Sequence, residues 1–338
     1  MAVSDVYGFN DKLIEAIGLQ KRKLPGNEVQ VVKRERLYSI KHKDAYCTKD
    51  RAFFRDLLKA VTPDPTLFMA KQAPGDYDWM SFHNEPGQTF SEFLRIPKNI
   101  PALPRKKIYL LPLVFFEDPV PKDILRLLRT YASMFFGLPV KILKPINIKS
   151  QIPYRDNHLS GTVQVDAGVI LKKLELLLPA DAFCLAGITM CDMYPRDSWN
   201  FVFGLANLIK RCGVYSLARY LSTFGDQKTT QVKVDRDSLN NLLMRSCKVM
   251  CHEICHMFGM KHCVYYECLM NGSNHLKEAD ERPLHMCPAC LRKLHFSCQF
   301  DIVERYRALT DFAEKHEVNK AHDWFRRRLK QLAPYDEV

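Results

Sequence analysis

The chain has 338 residues, a net charge of +12, 47% hydrophobic residues and twelve cysteines. That length fits one large domain or two modest ones, and the apolar content suffices for a substantial core. No run approaches about eighteen uninterrupted apolar residues, so no membrane span is expected.

In chain order, Met1 to Asn10 carry no basic segment followed by an apolar one, so no secretory signal is expected. The reading is an intracellular protein, cytoplasmic and/or nuclear, and a monomer. Arg51 to Ala60 has a helical pattern, and prolines at 63, 65, 74, 86, 97, 101 and 104 make the following stretch poor in regular structure. Residues 1–104 are therefore read as an N-terminal region, Pro-rich toward its end, and 105–338 as the main domain, C-terminal helices included. In the latter, Ile108 to Val114 reads as a buried strand. Pro121 to Phe136 reads as a helix ended by Gly137, and Val140 to Leu143 as a strand. Val165 to Leu178 reads as a helix, and Ala182 to Met190 as a third strand. This alternation argues a largely parallel α/β sheet with right-handed crossovers. Phe201 to Ala206 and Gly213 to Tyr220 read as a further strand pair near the sheet edge. Residues 300–331 read as a helical region with Phe300, Val303, Tyr306, Leu309 and Phe312 on one packed stripe.

Residues 252–262 read His252-Glu253-Ile254-Cys255-His256-Met257-Phe258-Gly259-Met260-Lys261-His262. His252 and His256 are four apart and project from one helix face, one turn apart. Gly259 permits a left-handed cap, after which His262 can join them. Three protein ligands leave the fourth position of a tetrahedral zinc open, as in a catalytic site. Glu253 is not a ligand in this arrangement. It is placed to take a proton from water whose pKa the zinc lowers toward about 7. The alternative, a surface histidine pair, suits H-E-x-x-H alone. The full string has five fixed positions and a chance frequency on the order of 10⁻⁴ per chain of this length, which favours the metal. The helix is expected to start at an N-cap Ser238, after Asp235 and Asp237. Its apolar stripe runs Leu239, Leu243, Cys247, Met250, Ile254, Phe258, and the histidines lie on the face opposite.

Cys263 and Cys268, then Cys287 and Cys290, have the spacing of a closed four-cysteine zinc site. The alternatives are disulfides or buried free thiols; disulfides would need an oxidising compartment, and no signal points there. Because His262 and Cys263 are neighbours in the chain, the structural ion would brace the third histidine. Two zinc ions per chain are thus expected.

The string H-E-x-x-H-x-x-G-x-x-H-C-x-x-x-x-C-x-M, followed by C-x-x-C, resembles the archaemetzincin family of zinc metallopeptidases. The segment Leu269 to His275, then Glu278-Ala279-Asp280 and Arg282-Pro283-Leu284, is similar to the animal members. So are Gly187 to Met190 and Tyr194 to Gly204. The resemblance is specific over about residues 105 to 310. It implies a metzincin-like α/β fold: a mixed, mostly parallel sheet with an antiparallel edge strand, helices packed on it, a catalytic zinc in the cleft and the four-cysteine zinc beside it. It implies peptidase activity on a peptide or protein substrate, with aminopeptidase action suggested for animal members. Met270 matches the methionine of the Met-turn beneath the histidine ligands, and one of the two edge strands is the candidate to pair with extended substrate. Cys255 inside the histidine string is unusual but is not at a ligand position.

Other readings compete. The fold could serve as a zinc-binding scaffold without useful turnover, against which an intact Glu253 argues. The basic runs Lys21-Arg22-Lys23, Lys33 to Arg36, Arg105 to Lys107 and Arg326 to Lys330 could mark a nucleic-acid-binding zinc protein. They are dispersed and lack an aromatic RNA-binding signature, so solvated faces are the preferred reading and a nucleic-acid partner is not expected. Cys247, Cys251 and Cys255 are read as small buried hydrophobes rather than thiol sensors. Tyr194, Tyr215 and Tyr220 are each candidates to stabilise an oxyanion.

Overall fold

The computed structural model describes residues 11–22, 38–46, 50–116, 120–225 and 236–332. Contacts group the chain into two compact units. Pro97–Gly259 and Asp311–Asn319 form one; Met1–Ile96, Met260–Thr310 and Lys320–Val338 form the other.

The first of these units is built on a six-stranded mixed sheet. Its strands run in the order Gly204–Asn207, Cys212–Ser216, Ala182–Thr189, Lys107–Val114, Val140–Ile142, and Ile146–Asn147 also pairs with Lys107–Val114. All pairings are parallel except that of Gly204–Asn207 with Cys212–Ser216, which is antiparallel and lies at the edge. This is the expected sheet. Every residue of Ala182–Thr189 is buried, as a central strand covered on both faces requires.

Tyr109, Leu111, Leu113, Leu185 and Val214 pack on one face with Ile170 and Leu174 of the helix Ala167–Leu176. Side chains alternate along strands, so the residue before Val214 faces the other way. A Cβ placed on Gly213 would lie 3.1 Å from the Met257 methyl. That face carries the helices Lys122–Phe136 and Arg236–Met257, which also pack on each other. Phe136, Phe183 and Phe258 join there, with ring centroids 4.3 Å apart for Phe183 and Phe258.

Several expectations are corrected. Val165 is not helical but belongs to the strand Thr162–Asp166, which pairs antiparallel with Tyr154–Asn157 and parallel with Asp192–Tyr194 in a second, three-stranded sheet. The strand pair at the edge is shorter than expected, because Ala218–Tyr220 is a 3-10 turn. The helix bearing the histidine string already includes Arg236, so Ser238 lies within it; Asp235 lies outside the described residues. Leu239 is 45% exposed and leaves the stripe, whereas Leu243, Met250 and Ile254 are buried. The C-terminal region is two helices, Ile302–Lys315 and Asn319–Leu332, broken near Glu317, whose φ is +54°.

The second unit packs the helices Asp11–Ile17 and Arg51–Val61 on Pro288–Cys298. The guanidinium of Arg292, fully buried, donates to the carbonyls of Ile17, Gly18 and Lys41 and lies over the Phe90 ring. Arg328 is likewise fully buried and donates to the Ala60 carbonyl. The run Arg326 to Lys330 is therefore not a continuous solvated face. Lys33 to Arg36 and Lys23 lie outside the described residues.

Candidate metal centres and active site

The helix Arg236–Met257 delivers two imidazoles to one point. The Nε2 atoms of His252 and His256 are 3.0 Å apart and their rings are nearly perpendicular, at 86°. Gly259 has a φ of +85°, a left-handed conformation that costs glycine little. Its N–H caps the helix by donating to the His256 carbonyl at 2.8 Å. His252, His256 and His262 each offer one ring nitrogen, all within 4.8 Å of one another. Zinc–nitrogen bonds of about 2.0–2.1 Å at tetrahedral angles put nitrogens roughly 3.3–3.4 Å apart. A neutral-nitrogen donor set at this spacing fits that ion.

His262 is held from behind. Its Nδ1–H donates to Glu85, 2.8 Å from Oε1 and 3.1 Å from Oε2, which turns Nε2 the other way. Burial opposes the ionisation of Glu85, but its hydrogen bond to His262 brings its pKa below the ordinary range.

His252 and Glu253 are buried, at 4% and 6% exposure, whereas His256 and His262 are only partly buried, so the histidine group reaches solvent on their side. Room for the carboxylate comes from Gly204, the first residue of the edge strand. A Cβ there would stand 2.5 Å from Oε1 of Glu253. The loop leading to Gly204 is fixed by a polar network the sequence did not reveal. Arg219 donates to Asp192 with two nitrogens, both at 2.8 Å, and Gln164 donates to the same carboxylate at 2.8 Å. Gln164 also donates to the Asn200 carbonyl, and Arg155 donates to those of Asp197, Trp199 and Asn200. Asp192 is buried. A buried ion pair with its remaining lone pairs filled orders a loop, and removing one partner is costly.

Tyr215 is sealed from solvent, and burial drives its pKa well up; Tyr194 and Tyr220 are buried also. A tyrosine sealed in this way cannot reach a substrate, so Tyr215 is removed from the candidates for oxyanion stabilisation. Cys247, Cys251 and Cys255 are all buried, and burial raises the Cys247 thiol, as for inert packing groups.

The second group is Cys263, Cys268, Cys287 and Cys290, all buried, with sulfurs within 4.8 Å of one another. Cys263 and Cys287 are 3.7 Å apart at sulfur. Tetrahedral zinc–sulfur bonds of about 2.3 Å place sulfurs roughly 3.8 Å apart, so these residues fit a closed zinc site. Disulfide bonding is not what the geometry shows, since bonded sulfurs are about 2.0 Å apart. Backbone N–H groups of Met270 and Cys287 donate to the Cys268 sulfur, and that of Cys290 to Cys287. Cys287 also caps the helix Pro288–Cys298. Hydrogen bonds from the other three cysteines hold the Cys263 thiol well below its ordinary range, while burial drives Cys287 up. Four thiols in one buried pocket cannot all ionise without a cation.

Met270 is fully buried, and its carbonyl accepts from the Cys263 N–H at 2.8 Å, closing the loop that bears the first cysteine pair. Asn271, to which the sequence assigns no role of its own, pins that loop. Its side chain accepts from the Cys268 N–H and donates to the Cys263 and Tyr266 carbonyls.

Residues 171–296 match Peptidase family M54, and together with the relatives that follow this makes the protein a zinc-dependent metallopeptidase. Archaemetzincin-2 from Rattus norvegicus is 40% identical over 278 residues, 76% of this chain and 77% of that one. Archaemetzincin-2 from Homo sapiens is 40% identical over 273 residues, 74% and 76% of the two chains. The chain belongs to the archaemetzincin family. A crystal structure of archaemetzincin from Methanopyrus kandleri is 26% identical, covers 59% of this chain and 99% of its own, and has a TM-score of 0.45. No helix among the described residues is long and apolar enough to cross a membrane.

Proposed function

We propose that this chain hydrolyses peptide bonds, with His252, His256 and His262 holding a catalytic zinc and Glu253 acting as general base. The observation that carries the reading is the convergence of the three ring nitrogens within 4.8 Å, with a buried carboxylate next to the first histidine. When bound, the zinc supplies a Lewis acid for the scissile carbonyl and for water. Glu253 takes the proton from the attacking water and passes it toward the leaving amine. The edge strand Gly204–Asn207 is the candidate to receive extended substrate by backbone pairing, and Met270 is the candidate methionine beneath the histidines. Aminopeptidase action is the form of activity that the family resemblance suggests. Turnover of a peptide library, each member with a free or a blocked amino terminus, tests both statements. Hydrolysis of neither set would leave a zinc-binding scaffold.

We further propose that Cys263, Cys268, Cys287 and Cys290 hold a structural zinc, giving two zinc ions per chain. Elemental analysis of protein purified without added metal is expected to approach that ratio. A ratio near one in folded protein, with Cys263 and Cys287 free to react with thiol reagents, would remove the four-cysteine site.

Gly204→Ala tests the placement of Glu253. The new methyl group displaces the carboxylate, and a misplacement on the order of 1 Å costs about 10²-fold in rate. Peptide hydrolysis should fall by about that factor with both metals retained. Wild-type hydrolysis by the alanine variant would show that the carboxylate's position beside Gly204 is not the working one.

A further inference from the structure

We propose that Glu85 is a positioning residue for the catalytic metal, holding His262 in the orientation and tautomer that present Nε2, and that residues 69–88 form a strap built to keep it there. This rests on the reading of His262 as a metal ligand.

The strap is pinned at both ends. Near its start, the Lys71 N–H donates to the Tyr265 carbonyl at 3.1 Å and the Glu267 N–H to the Met69 carbonyl at 2.9 Å. At its far end, the Gln88 side chain accepts from the Lys261 N–H at 3.2 Å, and its backbone carbonyl accepts from Lys293. Both His262 and its chain neighbours are thus gripped by one segment.

Between the pins, Trp79 and Glu85 meet the imidazole from two sides. Glu85 takes the Nδ1–H, and the Trp79 ring stands edge-on to His262 with centroids 5.1 Å apart at 83°. Trp79 also stacks on His83 at 3.8 Å. Two features fix the indole. Its backbone N–H donates to both carboxylate oxygens of Glu278, at 3.0 Å each. Its ring lies on the backbone of Gly272, where a Cβ would come within 2.4 Å of Cδ1.

Asp78, His275 and Glu278 also form a group with metal-binding spacing, but their polar atoms are already committed. The His275 Nδ1 accepts from the Glu278 N–H, so Nε2 carries the proton and donates to Asp78 at 3.2 Å. Asp78 accepts from the Gly75 N–H, and Glu278 from those of Trp79 and Asn274. A protonated ring nitrogen has no lone pair for a cation. The group is a latch that closes the strap against the helix Leu276–Glu281.

A carboxylate behind a ligating histidine fixes the ring and makes it a stronger donor; losing one typically costs about 10–100-fold in metal affinity. The test is Co²⁺ titration of the full chain after metal removal. Cobalt bound by thiolates gives intense sulfur-to-metal absorbance, whereas cobalt on histidines gives only weaker visible bands, so the two sites are read separately. Glu85→Ala should weaken the histidine site toward the hundredfold end of that range. Glu85→Gln keeps an acceptor for Nδ1–H but loses the charge, and should weaken it about tenfold. The thiolate signal should stay at the wild-type value in both. Should the alanine variant lose the thiolate signal, and with it its fold, the glutamine variant decides. Histidine-site affinity at the wild-type level in Glu85→Gln overturns the proposal, provided His262→Ala has lost that site. If His262→Ala also retains it, the ligand reading itself has failed, not the strap.

Discussion

Glu253→Gln is expected to retain its zinc and lose its turnover. No other acid has its position fixed by spacing within the histidine string. Glutamine has nearly the shape of glutamate, which matters because the carboxylate fills the space left by the absent side chain of Gly204. The substitution thus removes the base without forcing a rearrangement. Turnover should fall by roughly 10²–10⁴, the share of a positioned general base, or about 3–5 kcal/mol of barrier. His256→Ala should instead lose the catalytic zinc together with activity, since its Nε2 lies at the shared point of the ligand group. Zinc content and peptide hydrolysis measured on both variants separate the roles. Near wild-type hydrolysis by Glu253→Gln would mean that a contaminant acts or that another group moves the proton, and the mechanism would be wrong.

What was legible in the sequence was what is encoded locally. Histidines four apart on a helix, a glycine at a left-handed turn, and cysteines paired across two or four residues are all short-range patterns. The parallel strands were legible because buried strands are continuous apolar runs, as in Ile108 to Val114. The edge pair was legible because Phe201 to Ala206 and Gly213 to Tyr220 are close in sequence. Glu85 was not, because it is 177 residues from His262 and nothing around it in the chain marks a carboxylate aimed at an imidazole. The same holds for Asp192, Gln164 and Arg219, ordinary polar residues until the fold buries them together. Val165 was assigned to the helix after it because the strand Thr162–Asp166 runs directly into that helix, and Asp166 is the N-cap. The polar residues Ser246, Lys248, His252 and Glu253 of the histidine helix are all buried, a burial that spacing along the chain does not encode.

Cys268→Ser should remove one zinc per chain and lower the melting temperature sharply. The Cys268 sulfur is fully buried and accepts backbone N–H groups from Met270 and Cys287, so it organises two turns of chain as well as one coordination position. A serine hydroxyl is shorter and does not ionise near neutral pH, so it supplies neither the reach nor the charge of a thiolate. Structural zinc contributes about 10–16 kcal/mol in small zinc-dependent folds. Losing even a quarter of that removes about 2.5–4 kcal/mol, a large part of a typical stability of about 5–15 kcal/mol. At about 2–4 °C per kcal/mol, the midpoint should drop by roughly 5–16 °C. His262 directly precedes Cys263, so histidine-site affinity should weaken as well. Chelation separates the two ions in wild-type protein. A strong chelator reaches the open histidine site before the closed thiolate cage, so activity should vanish while circular dichroism is unchanged, and unfolding should need more chelator or more time. If Cys268→Ser holds two zinc ions and melts with the wild type, or if inactivation and unfolding coincide at every chelator concentration, the separation of a catalytic from a structural zinc is wrong.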